Sequence, residues 1–238
     1  MTRLVTGLPA TVPFVAPEAI ERKSGRSIRL RLGANESNFG PSPRALEAMR
    51  EAILESANYG DPENYELRAA IAQVHGVKID QVMVGSGIDD LLGLIVRTFL
   101  EQNDTAVTSL GAYPTFNFHV AGYGGTLERV PYRDDRNDLE MLAAAAVRTG
   151  AKMVYLANPD NPSGSWYTAA EIAAFRVTLP DSCLLLLDEA YCDFAPADAI
   201  PPIDPEDGGI IRLRTFSKAH GMAGLRVGYS IAPAKTNA

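Results

Sequence analysis

Cys183-Leu184-Leu185-Leu186-Leu187-Asp188-Glu189-Ala190-Tyr191 is the stretch that decides how this chain folds. A continuous apolar run leaves neither side of an extended segment polar, as suits a strand covered on both faces in a mainly parallel sheet. Two acids follow where that strand ends, and an unpartnered buried carboxylate is costly. Side chains alternate across a strand, so Asp188 and Glu189 cannot point the same way. One carboxylate is expected to face a site, and the other to turn outward or into a salt bridge.

Working outward, short β-forming runs alternate with helical stretches. The pattern predicts strands over 81–84, 105–110, 152–157 and 210–215, and helices over 88–100, 115–123, 139–149 and 169–179. Alternation of this kind argues for a three-layer α/β/α domain with a mainly parallel sheet. Upstream, residues 27–32 alternate polar and apolar and read as a further strand. Ser42 reads as a helix N-cap, with Pro43 at the first helical position. A second helix starts near Tyr65, carries Leu67, Ile71 and Val74 on one face, and stops at Gly76. Residues 195–209, rich in Pro and Asp, read as a surface loop. The organisation is a leading segment over 1–29 and one large domain over 30–238.

Composition narrows the function. The 238 residues carry a net charge of −7 with no dense basic stripe, which excludes a nucleic-acid binder on electrostatic grounds. No segment approaches the ~18 consecutive apolar residues of a membrane span, and the N-terminal residues lack the apolar stretch of a signal peptide. The cysteines, Cys183 and Cys192, have no metal-ligand spacing, and His75, His119 and His220 lie far apart, so no metal is expected. A reducing cytoplasm is the expected location.

Ligands of parallel sheets gather at the loops leaving the strand C-termini, and the unusual residues sit in those loops. Gly85-Ser86-Gly87 ends a strand and opens a helix, where free N–H groups can hold a phosphate. It is no dinucleotide fingerprint, because Asp90 stands where the third glycine belongs. Lys218 follows Ser217 directly after a strand, with Arg226 further on; the hydroxyl and the guanidinium could hold a phosphate while the amine binds a carbonyl. An amine beside a phosphate anchor is what pyridoxal phosphate requires. A carboxylate such as Asp188 would keep a pyridine nitrogen protonated. Asn161 suits donation to a phenolate oxygen, and Tyr113 or Phe116 could stack on a flat ring.

The order of these pieces resembles the fold-type I, class I/II aminotransferases that use pyridoxal phosphate, most of all the histidinol-phosphate branch. The matching residues are Asn35-Glu36, Gly40-Pro41-Ser42-Pro43, Tyr59, Leu67-Arg68, Gly87-Ile88-Asp89-Asp90, Pro114-Thr115-Phe116, Asn158-Pro159-Asp160-Asn161-Pro162, Asp188-Glu189-Ala190-Tyr191, Ser217-Lys218 and Ala223-Gly224-Leu225-Arg226-Val227-Gly228-Tyr229. The resemblance implies that Lys218 holds the cofactor covalently and moves a proton at the substrate α-carbon. Asp188 would pair with the pyridine nitrogen, Asn161 and Tyr191 would bond the ring oxygen, and Phe116 would stack on the ring. The backbone of Gly87 and Ile88, with Ser217 and Arg226, would hold the phosphate. Tyr59 would reach the cofactor phosphate of a second subunit, implying a homodimer. The implied substrates are an amino acid or amino alcohol phosphate and a 2-oxo acid, with 2-oxoglutarate as acceptor. A decarboxylase on the same scaffold, or a shortened cofactor-binding chain without activity, are the alternatives. Two positions depart from the pattern: Phe14 stands where the histidinol-phosphate branch shows tyrosine, and Gly60 where proline is common. The group's C-terminal small domain, with its carboxylate-gripping arginine, has no counterpart in these residues.

Overall fold

The computed structural model describes residues 1–8 and 15–237, so Phe14 lies outside the described residues. Among them, β1 (Val82–Gly85), β2 (Thr105–Ser109), β3 (Thr126–Val130), β4 (Met153–Ala157), β5 (Leu184–Asp188), β6 (Ile210–Thr215) and β7 (Gly228–Ile231) form one sheet. Its order is β1-β7-β6-β5-β4-β2-β3. The strands from β3 across to β6 are parallel, whereas β7 runs antiparallel to both β6 and β1.

The apolar run divides between the two faces as its alternation requires. Leu186 joins a core built with helices α5 (Ile88–Phe99) and α6 (Thr115–Gly122). Leu185 and Leu187 join a second core under α7 (Leu139–Thr149) and α8 (Ala169–Thr178). All three leucines have no exposed surface, and burying each contributes on the order of 1.5–3 kcal/mol. Helix α4 (Tyr65–His75) packs Ile71 and Ala72 against Val82, Tyr229 and Ile231 at the β1–β7 side. The three-layer expectation is therefore met.

Local signals also work where the chain supplies its own partner. In α3 (Pro43–Ala52) the Ser42 hydroxyl accepts from the Ala45 amide at 3.2 Å, and Gly76 ends α4 at φ 66°. The expected strand over 27–32 does not form. A strand needs a neighbour to take its backbone hydrogen bonds; among the described residues none does, and Leu30 and Leu32 are 69% and 68% exposed. Conversely β3 and β7 were not expected. Each is short, with no clean apolar period, and each exists because a distant strand pairs with it. No helix among the described residues is long and apolar enough to cross a membrane.

Candidate active site

Asp188 closes β5 in register with Ala157, on the face that carries Tyr155, Leu186 and α5. It is 7% exposed, and its partners are neutral: the Tyr155 hydroxyl donates to it at 2.7 Å and the Ala190 amide at 2.9 Å. Burial pushes its carboxyl up to about 6, against the pull of those two bonds. Glu189 turns to the opposite face. There Arg212 grips it through two nitrogens, and Arg214 Nε donates to it at 2.9 Å. Glu189 is thus the acid in the salt bridge, and Asp188 makes none among the described residues.

Lys218 follows β6, half-buried. Its Nζ donates to the Ala34 carbonyl at 2.8 Å and lies 5.6 Å from the Tyr191 ring centre. Burial first, then the charge of Arg226, holds the amine below the usual lysine range, while Glu36, Asp188 and Asp89 pull the other way. All four groups therefore sit near enough to act on its charge. The strap that crosses Lys218 has Ala34 at φ 64° and Asn35 at φ 51°. A left-handed non-glycine residue costs on the order of 1 kcal/mol, and such conformations concentrate at functional sites.

The groups expected to hold a phosphate converge at the start of α5. The Ser217 hydroxyl lies 3.5 Å from Arg226 Nη1, and Arg226 also approaches Asp89 at 3.6 Å. Gly87 has φ 84°, a conformation that side chains rarely adopt, and a Cβ there would push the movable end of Arg226, 2.5 Å away at Nη2, out of the cradle. Gly228 on β7 is constrained by backbone instead, since its Cβ would lie 2.9 Å from the Gly87 carbonyl carbon. The Gly87 amide itself donates to the Gly85 carbonyl at 2.8 Å. Gly87 therefore contributes its backbone shape, while the first-turn amides from Ile88 onward lack intrahelical partners and are free to donate.

Asn161 and Tyr191 line one cavity of about 370 Å³, together with Asn35, Pro159, Trp166 and Phe194. The loop bearing Asn161 is anchored by Asp160, which is 4% exposed and accepts from Tyr132 at 2.8 Å, Asn137 at 3.1 Å and Ser163 at 2.7 Å. Phe116 departs from expectation. It has no exposed surface and stacks on Tyr155, 5.0 Å between ring centres, so it belongs to the core beneath the site. Tyr113, one turn earlier and half-buried, is the aromatic close enough to act on the Tyr191 phenol. Tyr59 stands fully in solvent, and among the described residues nothing places it at the site. Among the described residues no cluster could hold a metal ion.

Tyr155 escaped the sequence reading. Its signal is a phenol in an otherwise aliphatic, fully covered strand, where the O–H must find a partner. Two residues before the position paired with Asp188, it shares that residue's face.

The family described as "Aminotransferase class I and II" matches residues 27–237. The chain belongs to that family. It is 38% identical over 237 residues to a histidinol-phosphate aminotransferase of Anaeromyxobacter sp. (strain Fw109-5), covering 96% of this chain and 64% of the relative. A histidinol-phosphate aminotransferase 1 of Bacillus cereus (strain ATCC 10987 / NRS 248) is 34% identical, covering 94% of this chain and 61% of the relative. Among solved structures, a histidinol-phosphate aminotransferase from Sinorhizobium meliloti in complex with pyridoxal-5'-phosphate matches with a TM-score of 0.94 at 53% identity, covering 100% of this chain and 64% of that one. The chain thus spans less than two thirds of the length of these class I and II relatives.

Proposed function

We propose that this chain carries the cofactor site of a pyridoxal-phosphate-dependent aminotransferase, with Lys218 as the lysine that holds the cofactor. The observation that carries the reading is the half-buried amine of Lys218, just after β6, 5.6 Å from the Tyr191 ring centre and next in the chain to Ser217, whose hydroxyl lies 3.5 Å from Arg226. The residues fit the group: a primary amine for the aldehyde, a buried carboxylate for the ring nitrogen, and a hydroxyl, a guanidinium and a helix start for the phosphate. The cradle that a Cβ at Gly87 would fill agrees with a bulky anion there. Bound there, pyridoxal phosphate supplies an aldehyde for an incoming amine and a ring that withdraws electrons from the substrate α-carbon.

Each side chain then has a task. Asp188 keeps the ring nitrogen protonated, and Tyr155 holds Asp188 in place. Asn161 and Tyr191 bond the ring oxygen, while Ser217, Arg226 and the amides after Gly87 fix the phosphate. Tyr113 is the aromatic available to cover the ring. Once its amine is free, Lys218 Nζ carries a proton to and from the substrate α-carbon. The substrates are an amino acid or amino alcohol phosphate of the histidinol-phosphate kind and a 2-oxo acid, with 2-oxoglutarate as acceptor. The chain's relatives among the histidinol-phosphate aminotransferases support transamination over decarboxylation on the same scaffold.

The assembly is a homodimer in the cytoplasm, in which Tyr59 reaches the phosphate bound by the other subunit. The exposed apolar side chains of Phe39, Ile53, Leu54 and Tyr59, at 99%, 68%, 84% and 106%, support an interface along residues 39–59. The test is the visible absorption of the protein incubated with pyridoxal phosphate, before and after borohydride, beside Lys218→Ala. A visible band that borohydride removes, absent from Lys218→Ala, is expected. A folded protein with no band, or with the same band in the variant, sinks the assignment. Glutamate rather than carbon dioxide among the products would separate transamination from decarboxylation.

A further inference from the structure

We infer that Asn35 is a positioning residue for Tyr191: its side-chain N–H occupies one lone pair of the Tyr191 hydroxyl and so turns that hydroxyl's own hydrogen into the site. The inference rests on the reading of Tyr191 as a donor to the ring oxygen of pyridoxal phosphate. A phenol has one hydrogen to give and two lone pairs to receive with. Asn35 Nδ2 lies 2.9 Å from Tyr191 Oη, and the two residues are far apart in the chain. With that donor in place, the Tyr191 hydrogen cannot point back at the strap. Asn35 also lines the same cavity as Tyr191 and Asn161.

The strap is built to hold Asn35 there. Asn35 and its neighbour Ala34 both adopt left-handed backbone, an unusual pair outside glycine. The Ala34 carbonyl that this geometry exposes receives Lys218 Nζ. Arg31, bonded to Glu36 at 2.7 Å and Glu18 at 2.6 Å, ties down the chain on either side. One backbone excursion thus sets the direction of two site groups, the lysine amine through a carbonyl and the phenol through an amide. The Asn35 bond also pulls the Tyr191 phenol down against the upward push of burial, as a donated hydrogen bond should.

Asn35→Asp replaces a donor with a group that only accepts, so Tyr191 would give its hydrogen to the strap instead of the cofactor. The experiment is a pH titration of the visible band of the pyridoxal-phosphate-loaded protein, with cofactor dissociation constants beside it. Five proteins are compared: unsubstituted, Asn35→Asp, Asn35→Ala, Tyr191→Phe, and the Asn35→Asp/Tyr191→Phe double variant. Losing a hydrogen bond to the ionised ring oxygen should raise the band's apparent pKa by about one unit. Cofactor binding should weaken about three- to tenfold. Asn35→Asp should move both readings as Tyr191→Phe does, and the double variant should move them no further. Asn35→Ala, which frees the hydroxyl without reversing it, should move them less than Asn35→Asp.

If Asn35→Asp shifts the band equally with and without the Tyr191 hydroxyl, the effect is only the added charge, and the inference fails. It also fails if Asn35→Asp leaves the band unmoved while Tyr191→Phe moves it. A Tyr191→Phe variant that titrates like the unsubstituted protein would instead overturn the underlying role of Tyr191.

Discussion

Asp188 and Glu189 are neighbours with nearly the same side-chain chemistry, yet they face opposite sides of one sheet and meet opposite fates. Glu189 lies among two arginines, at 2% exposure, and shares its oxygens between them. Asp188, at 7% exposure, has only a phenol and an amide. The first carboxylate is neutralised inside the fold and has no charge left for a ligand. The second carries a desolvation cost that no salt bridge among the described residues offsets, so a bound cationic ring would find it ready. What separates the paired acid from the one proposed for chemistry is the supply of partners on each face, not burial, which both share.

The largest expected effect comes from breaking the paired acid. Glu189→Gln leaves Arg212 and Arg214 buried without a counter-charge, and should cost about 3–5 kcal/mol in chemical denaturation. A loss within about 1 kcal/mol would mean that water or the Pro201 and Pro202 carbonyls, which Arg212 also reaches, carry the charge instead.

Asp188→Asn should behave in the opposite way. Its folded-state value of about 6 lies above the ordinary 3.8, so the folded form favours the protonated acid. That contribution is present below about pH 4 and is lost as pH rises through about 6. Measured without cofactor, Asp188→Asn should therefore gain on the unsubstituted protein over this window, by up to about 3 kcal/mol. A flat difference curve would show that Asp188 finds a cation after all. In the cofactor-loaded enzyme, the same substitution should lower kcat by about 10²–10³-fold, as for the loss of a preorganised electrostatic contact.

The smallest effect sharpens the comparison. Tyr155→Phe removes the strongest neutral partner of Asp188, and should cost about 1 kcal/mol in stability. It should also move the Asp188 titration upward, since that bond holds the carboxyl down. A downward shift of the pH–stability profile would show that Tyr155 is not the donor. Gly87→Ala makes a parallel test at the other end of the site. With φ 84° and Arg226 in the way, it should weaken cofactor binding at least tenfold while the rest of the fold persists, read by titration of the visible band.

Much of this arrangement was legible from local chemistry. Four leucines in a row specify a strand with two covered faces, Ser42 and Pro43 specify a helix start, and Gly76 specifies a helix end, because each acts on backbone within one turn of itself. The divergence of Asp188 from Glu189 was legible too, since alternation is a property of any strand. Which of the two would meet arginine was not. That depended on β6 lying beside β5 in parallel register, which brings Arg212 against Leu187 and sets both arginines on the Glu189 face.

Tertiary structure likewise decided the cases where similar local patterns part ways. Residues 27–32 alternate as a strand should, but pair with nothing. Gly228–Ile231 lacks a period, yet β7 inserts between β1 and β6 and brings Gly228 against Gly87. Phe116 and Tyr113 flank the same proline, and only packing sends the first into the core and leaves the second near Tyr191. Sequence by itself determined the elements and the chemistry at their ends, because those follow from neighbours along the chain. Pairing, register and the choice of face came from contacts between residues far apart, which no local window contains.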